Sequence, residues 1–217
     1  MLLLGHRGAR NYARENSFAA FDTALEHGCD GFEFDVRRTS DERGVVVHDA
    51  DIQRVPVAEN SYLNLCSLKT GVMPCVEDVV RRYAARAFLD IELKVPELDD
   101  AVADALRESP PEKGYVVSSF LPEVLESLRR TDARMKLGYI CDDRKRLAKW
   151  RELPVDCVIP QYGLVDAELV QELHGAGKQV FVWTVNRAPE MLRMRELGVD
   201  AVISDDTQLL CRTLRAR

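Results

Sequence analysis

The chain has no long apolar run near its start: 1–4 is the longest there, far short of the ~7–15 apolar residues of an export signal or the ~20 of a spanning helix. That predicts a cytoplasmic protein without an integral membrane segment. Histidine is scarce, at four residues, so each context is readable. The six cysteines form no C-x-x-C pair and no short Cys/His spacing, which excludes a zinc site of the usual spacing and predicts free structural thiols in a reducing compartment. There is no excess of positive charge either. Lys and Arg total 30 against 36 Asp and Glu, a net charge of −6, which argues against a nucleic-acid partner held by phosphate neutralisation. Gly 12 and Pro 9 are ordinary, and no Pro-, Gly- or Ser-rich linker, internal repeat or low-complexity tract divides the chain. One domain over 1–217 is expected.

What is present is an alternation of two periods. Short β-branched or apolar runs occur at 2–5, 31–37 continued by 45–48, 87–93, 115–118, 136–140, 156–160, 179–185 and 201–204. Amphipathic stretches with apolar residues three and four apart lie at 17–27, 76–85, 98–108, 122–131, 144–152, 167–174, 189–197 and 207–214. Eight strand–helix units predict an α/β chain, a (β/α)₈ TIM barrel. An open doubly wound sheet is the alternative, but the G-x-G-x-x-G turn that usually accompanies it is missing. Only 51–72 breaks the rhythm, with mixed polar residues, Pro56 and Gly71, and reads as a short insertion after the second strand.

In such a barrel, chemistry gathers at the carboxyl ends of the strands. The first ends in His6-Arg7-Gly8, the second carries Glu33 and Asp35, its continuation ends in His48-Asp49, and the third ends in Glu92-Leu93-Lys94. Residues two apart in a strand point to one face, so Glu33 and Asp35 share a face and Glu92 and Lys94 repeat the arrangement. Three carboxylates on adjacent strands repel unless a cation joins them, and hard oxygen ligands suit one divalent ion, Mg²⁺ or Ca²⁺. The bland reading pairs Glu33 with Arg37. It is countered by Phe32, Phe34 and Val36, which alternate as a separate apolar face.

His27 and His174 end helices next to glycines, where a cation favours the helix dipole, and read as structural. His6 and His48 stand at strand ends and read as an acid–base pair. With Arg7 and Lys94 to hold remaining negative charge, the set suits a phosphodiester. Trp183 and Asn186 could line a pocket, while Asp205 and Asp206 could equally cap the last helix. Ser119, Gln161 and Tyr162 are strand-end polar groups without an evident partner.

These residues also form ordered motifs: His6-Arg7-Gly8, Arg14-Glu15-Asn16-Ser17, Gly28-x-Asp30-x-x-Glu33-x-Asp35-Val36-x-x-Thr39-x-Asp41 and Val46-Val47-His48-Asp49. Pro74-x-x-Glu77, Ile91-Glu92-Leu93-Lys94, Trp183-Thr184-Val185-Asn186, Gly198-Val199-Asp200 and Ser204-Asp205 follow. Together they resemble the glycerophosphodiester phosphodiesterases over nearly the whole chain. The resemblance implies metal-dependent hydrolysis of small glycerophosphodiesters to glycerol 3-phosphate and an alcohol. It assigns His6 and His48 to proton transfer, Glu33, Asp35 and Glu92 to the metal, and Arg7 and Lys94 to the phosphate. Arg14 departs from the family's Pro, Glu42 from its turn Gly and Gln53 from an Asp, and the insertion is shorter than in bacterial relatives. A lysophospholipid or other bulky diester is the alternative substrate, and a non-catalytic diester-binding protein a more distant one. Nothing in the pattern sets an oligomeric state.

Overall fold

The computed structural model describes residues 1–68 and 73–215. Eight parallel strands close into a barrel: β1 (Leu2–Gly5), β2 (Gly31–Arg38), β6 (Phe88–Leu93), β7 (Tyr115–Ser119), β8 (Leu137–Cys141), β9 (Cys157–Pro160), β10 (Gln179–Val182) and β11 (Ala201–Ser204). The ring is sealed where β1 pairs with both β2 and β11, with Leu2 opposite Ala201 and Gly5 opposite Ser204. The expected TIM barrel is therefore the observed fold.

Helices α1 (Phe18–Glu26), α3 (Val76–Tyr83), α4 (Asp99–Glu108), α5 (Pro122–Thr131), α6 (Arg144–Leu147), α7 (Ala167–Gly175), α8 (Ala188–Leu197) and α9 (Thr207–Arg215) accompany the strands. Local chemistry sets their ends. Ser17 caps α1 by accepting from the Ala20 N–H, Asp143 and Asp166 do the same for α6 and α7, and Pro sits in the first turn of α5 and α8. The stretch expected as one helix at 144–152 is instead a single α turn followed by a 3₁₀ segment, Ala148–Glu152.

Two layers of apolar side chains result from the two-residue period. Phe32 and Phe34 point outward to the helices, where the Phe21 and Phe32 rings stack at 4.2 Å and Tyr83 meets Phe32 edge-on. Leu4, Val116, Ile140, Ile159, Phe181 and Ile203 point inward and fill part of the lumen.

A second expectation needs correction. The run at 45–48 does not continue the second strand. Residues 39–43 reverse the chain, and β3 (Gly44–Val46) returns antiparallel to β2, with Val46 opposite Val36. Thr39 drives the reversal by donating from Oγ1 to Asp41 and accepting from the Arg43 N–H. Glu42 takes the left-handed conformation itself, at φ 65°.

The insertion is also ordered where it is described. It contains a small hairpin of β4 (Asp51–Ile52) and β5 (Val55–Pro56), a 3₁₀ turn at Val57–Glu59 and α2 (Tyr62–Leu68). These cover an apolar cluster of Val45, Val47, Ile52, Val57, Leu65, Met73 and Cys75. Positions 69–72 of the expected insertion, Gly71 included, lie outside the described residues.

Candidate active site

The site begins with a tight turn. Gly8 has φ +80°, and a Cβ there would come within 2.6 Å of the Ala20 backbone, so glycine lets the turn lie against α1. The turn lifts His6 and Arg7 into the mouth of the barrel. Arg7 itself is left-handed, at φ 53°, a conformation costing a non-glycine residue on the order of 1 kcal/mol. Its N–H donates to Glu33 Oε2 at 2.9 Å, which fixes it. Asn16, also left-handed at φ 54°, donates through Nδ2 to Asp35 Oδ2 at 2.7 Å and accepts the Asp35 N–H.

Register then gathers the carboxylates. The pairing of β2 with β6 sets Asp35 opposite Glu92, and Glu33 lies two residues earlier on the same face. One oxygen from each of Glu33, Asp35 and Glu92 falls within 4.8 Å of the others. All three side chains are buried, and Lys94 Nζ reaches Asp35 at 2.9 Å and Glu92 at 2.5 Å. Arg7 Nε lies 3.1 Å from Asp35, and its Nη1 donates to Glu15 at 3.0 Å.

The fields in this cluster are unequal. Burial, reinforced by the charges of Asp35 and Glu92, pushes the Glu33 carboxyl well above the usual carboxylate range. Burial also pushes Glu92 up to about 7, against the pull of Lys94. Burial acts the same way on Asp35, but Lys94, Arg7 and the Asn16 amide outweigh it and hold that carboxyl low. Glu33 Oε1 is buried without a hydrogen-bond partner. An orphaned oxygen beside two further hard oxygen donors fits a divalent cation.

The two histidines stand at this cluster for different reasons. His6 Nδ1 lies 2.6 Å from Asp205 Oδ1, and its Nε2 lies 3.8 Å from Glu33. Because a carboxylate only accepts, the neutral ring carries its proton on Nδ1 and leaves Nε2 as an acceptor. Burial lowers the His6 pKa, overcoming the opposing effect of Asp205, so this neutral form is the one favoured near pH 7. His48 arrives on the arm returning from β3. The Val47 N–H donates to Asp35 O, Arg37 Nε donates to His48 O at 2.6 Å, and His48 Nδ1 lies 2.8 Å from Asp49. Arg37 therefore steadies the His48 backbone and is not the partner of Glu33.

One cleft, of about 170 Å³, is lined by His6, Arg7, Glu33, His48, Glu92, Lys94 and Trp183, joining seven of the eight expected site residues; Asp35 lies in the carboxylate cluster at its side. Phe120, Ile140, Ile159 and Ile203 complete its apolar wall. The Trp183 indole N–H donates to Ile159 O at 2.9 Å, and its ring meets Phe120 edge-on. The other two histidines lie elsewhere, as expected: His27 contacts Thr207 Oγ1 at 2.7 Å and His174 contacts Asp200 at 2.9 Å. Ser119 and Gln161 also find local partners, the Leu93 carbonyl and the Gly163 N–H.

Sequence reasoning did not separate the two aspartates after β11. Asp206 caps α9 through the Leu209 N–H, whereas Asp205 turns to His6. Asn186 supports Asp205, donating to its Oδ2 at 2.6 Å and accepting its backbone N–H. Asp90 was also overlooked, although Phe88, Asp90 and Glu92 share one face by the two-residue period. It lines the cleft fully buried, accepts from Ser118 Oγ, and is pushed by burial up to about 7.

Known proteins are similar to this chain in sequence and fold. A glycerophosphodiester phosphodiesterase of Caldanaerobacter subterraneus subsp. tengcongensis is 29% identical over 237 residues, covering 99% of this chain and 98% of its own. A solved glycerophosphodiester phosphodiesterase of Thermotoga maritima superposes with a TM-score of 0.86 at 25% identity, covering 98% and 97% of the two chains. An Oleispira antarctica phosphodiesterase, solved in complex with the product sn-glycerol-3-phosphate, has the same fold, with TM-score 0.86 at 21% identity over 100% and 97%. The profile of the glycerophosphoryl diester phosphodiesterase family matches residues 6–209, and the chain belongs to that family.

Proposed function

We propose that this chain, as one domain over 1–217, hydrolyses small glycerophosphodiesters to glycerol 3-phosphate and an alcohol. The observation that carries the reading is the meeting of two carboxylate-backed histidines, three clustered carboxylates and two cationic side chains in one cleft at the carboxyl ends of the strands. Glu33, Asp35 and Glu92 would hold one Mg²⁺ or Ca²⁺. When bound, that ion supplies positive charge at a non-bridging phosphate oxygen.

The chain's own groups do the rest. Arg7 and Lys94 face the same phosphate and offset its remaining charge. His6 Nε2, an acceptor backed by Asp205, takes the proton of the attacking hydroxyl as its oxygen bonds to phosphorus. His48 gives a proton to the departing alkoxide as the second P–O bond breaks. The attacking group is water or the substrate's own 2-hydroxyl; the latter forms a cyclic phosphate that water then opens with the histidine roles reversed. Trapping the cyclic 1,2-phosphate identifies the second route, and single-step uptake of labelled water without it identifies the first.

The test is release of glycerol 3-phosphate from glycerophosphocholine and glycerophosphoethanolamine, with chelator and with metal add-back. Metal-restored release is expected. Failure on both diesters by folded protein overturns the reading. A second substrate class is favoured by the apolar wall of Phe120, Trp183 and three isoleucines, which suits a lysophospholipid or another bulky diester. Faster turnover of a lysolipid than of either short diester selects it. Diester binding with hydrolysis no faster than background, the same for wild type and His48→Ala, would instead point to a scaffold that binds diesters without cleaving them.

A further inference from the structure

Cys29 and Cys211 are 182 positions apart in the chain, yet their sulfurs lie 3.7 Å from one another. Cys29 follows the Gly28 that ends the α1 turn and precedes β2. Cys211 lies on the inner face of α9. They are 7% and 8% exposed, whereas Cys75, Cys141 and Cys157 are at most 1%. Both are buried, but less deeply than those three, so a smaller local opening admits the reagent that thiol exchange requires. Arg215, one turn beyond Cys211, pairs with Asp30 at 2.7 Å and brings a guanidinium beside the sulfurs. The hydrogen bond from Cys29 lowers the Cys211 pKa, and Arg215 adds to the effect against the opposing burial; Cys29 is shifted upward in return.

We propose that Cys29 and Cys211 form a reversible disulfide that fastens the last helix to the turn before β2, a modification site outside the catalytic cleft. The oxidant is a low-molecular-weight disulfide, RSSR. The Cys211 thiolate, having lost its proton, attacks one sulfur of RSSR; that S–S bond breaks, and RS⁻ leaves with the electron pair. Cys29 then loses its proton and attacks the Cys211 sulfur of the mixed disulfide, expelling the second RS⁻. Two electrons pass from the two thiols to RSSR, and the two released protons convert both leaving groups to RSH. Bond formation closes the sulfurs from 3.7 Å to about 2.05 Å.

The bond would bridge the seam of the barrel. α9 follows β11, whereas Cys29 lies between α1 and β2, and Thr207 on α9 already contacts His27 at the end of α1. Closing so long a loop restricts the unfolded chain strongly.

The test incubates purified full-length protein with glutathione disulfide or with dithiothreitol, maps peptides without reduction, and records melting. Expected are an intact mass lower by two hydrogens, one cross-linked peptide pair joining Cys29 to Cys211, and a Tm higher by roughly 5–10 °C, all reversed by dithiothreitol. Cys29→Ser and Cys211→Ser should each abolish the cross-link and the Tm response. Cys29→Ala and Cys211→Ala repeat the test without a buried hydroxyl. Full alkylation of both cysteines after oxidation, arrest at a Cys211–glutathione mixed disulfide, or a cross-link with unchanged or lower Tm each overturns the proposal.

Discussion

The two sides of the barrel lumen differ as sharply as an active site and a core. On β2 and β6 the inward positions toward the mouth include Glu33, Asp35, Asp90 and Glu92; across from them β8, β9 and β11 present Ile140, Ile159 and Ile203. Backbone geometry is the same on both sides, so side-chain chemistry alone separates them. The apolar side keeps water out and lowers the local dielectric, and Glu33, Asp90 and Glu92 opposite feel it as raised proton affinity, while Lys94 and Arg7 hold Asp35 low. Each side thus gives the other its character: without the isoleucines the acids would be ordinary, and without a cation the acids would repel.

Substitutions can test that division. His6→Ala, at the rim between the sides, should lower turnover by ~10²–10⁴ with melting unchanged, as loss of a positioned proton-transfer group does. A smaller loss at the optimum pH would leave His6 a positioning role only. On the acidic side, Glu92→Gln should weaken metal affinity by about 10–100-fold and leave the fold intact, read as activity against free metal concentration. Equal activity at limiting metal would remove Glu92 from the ligand set.

Asp90 gives a pH test of the same side. Its folded pKa, about 7, lies above the unfolded value, so the protonated form favours folding and stability falls as pH rises toward and through 7. Asp90→Asn, melted in chelator, should therefore gain on the order of 1–2 kcal/mol over wild type at pH 8 and nothing near pH 3. An unchanged difference across that range would show that the apolar side does not act on Asp90. On the apolar side, Ile159→Val should cost about 0.5–1.5 kcal/mol in unfolding free energy with metal affinity unaltered. A metal-affinity change as large as that of Glu92→Gln would erase the distinction between the sides.

Much of this was legible in the chain because two strong signals coincide. β-branched runs and the two-residue period located the barrel strands within a few residues and set Glu33, Asp35 and Glu92 on one face. The polar ends of those runs singled out His6, His48, Arg7 and Lys94. What escaped reading depends on tertiary choice. The hydrophobicity of 45–47 is the same whether the strand continues or folds back, and only the Thr39 turn decides. The α2 helix is too short to display a period. An aspartate that caps a helix and one that orients a histidine look alike before folding, as Asp205 and Asp206 demonstrate. Cys29 and Cys211 are too far apart for any spacing rule.

The closure of β1 against β11 also fixes when the molecule becomes competent. His6 emerges early in synthesis and its carboxylate partner, 199 positions later, near the end. A nascent chain can therefore hold its clustered carboxylates on β2 and β6 while His6 still lacks Asp205. Turnover should accordingly appear with the last strand's docking, making diester cleavage a late event of the folding sequence and a direct reporter of ring completion.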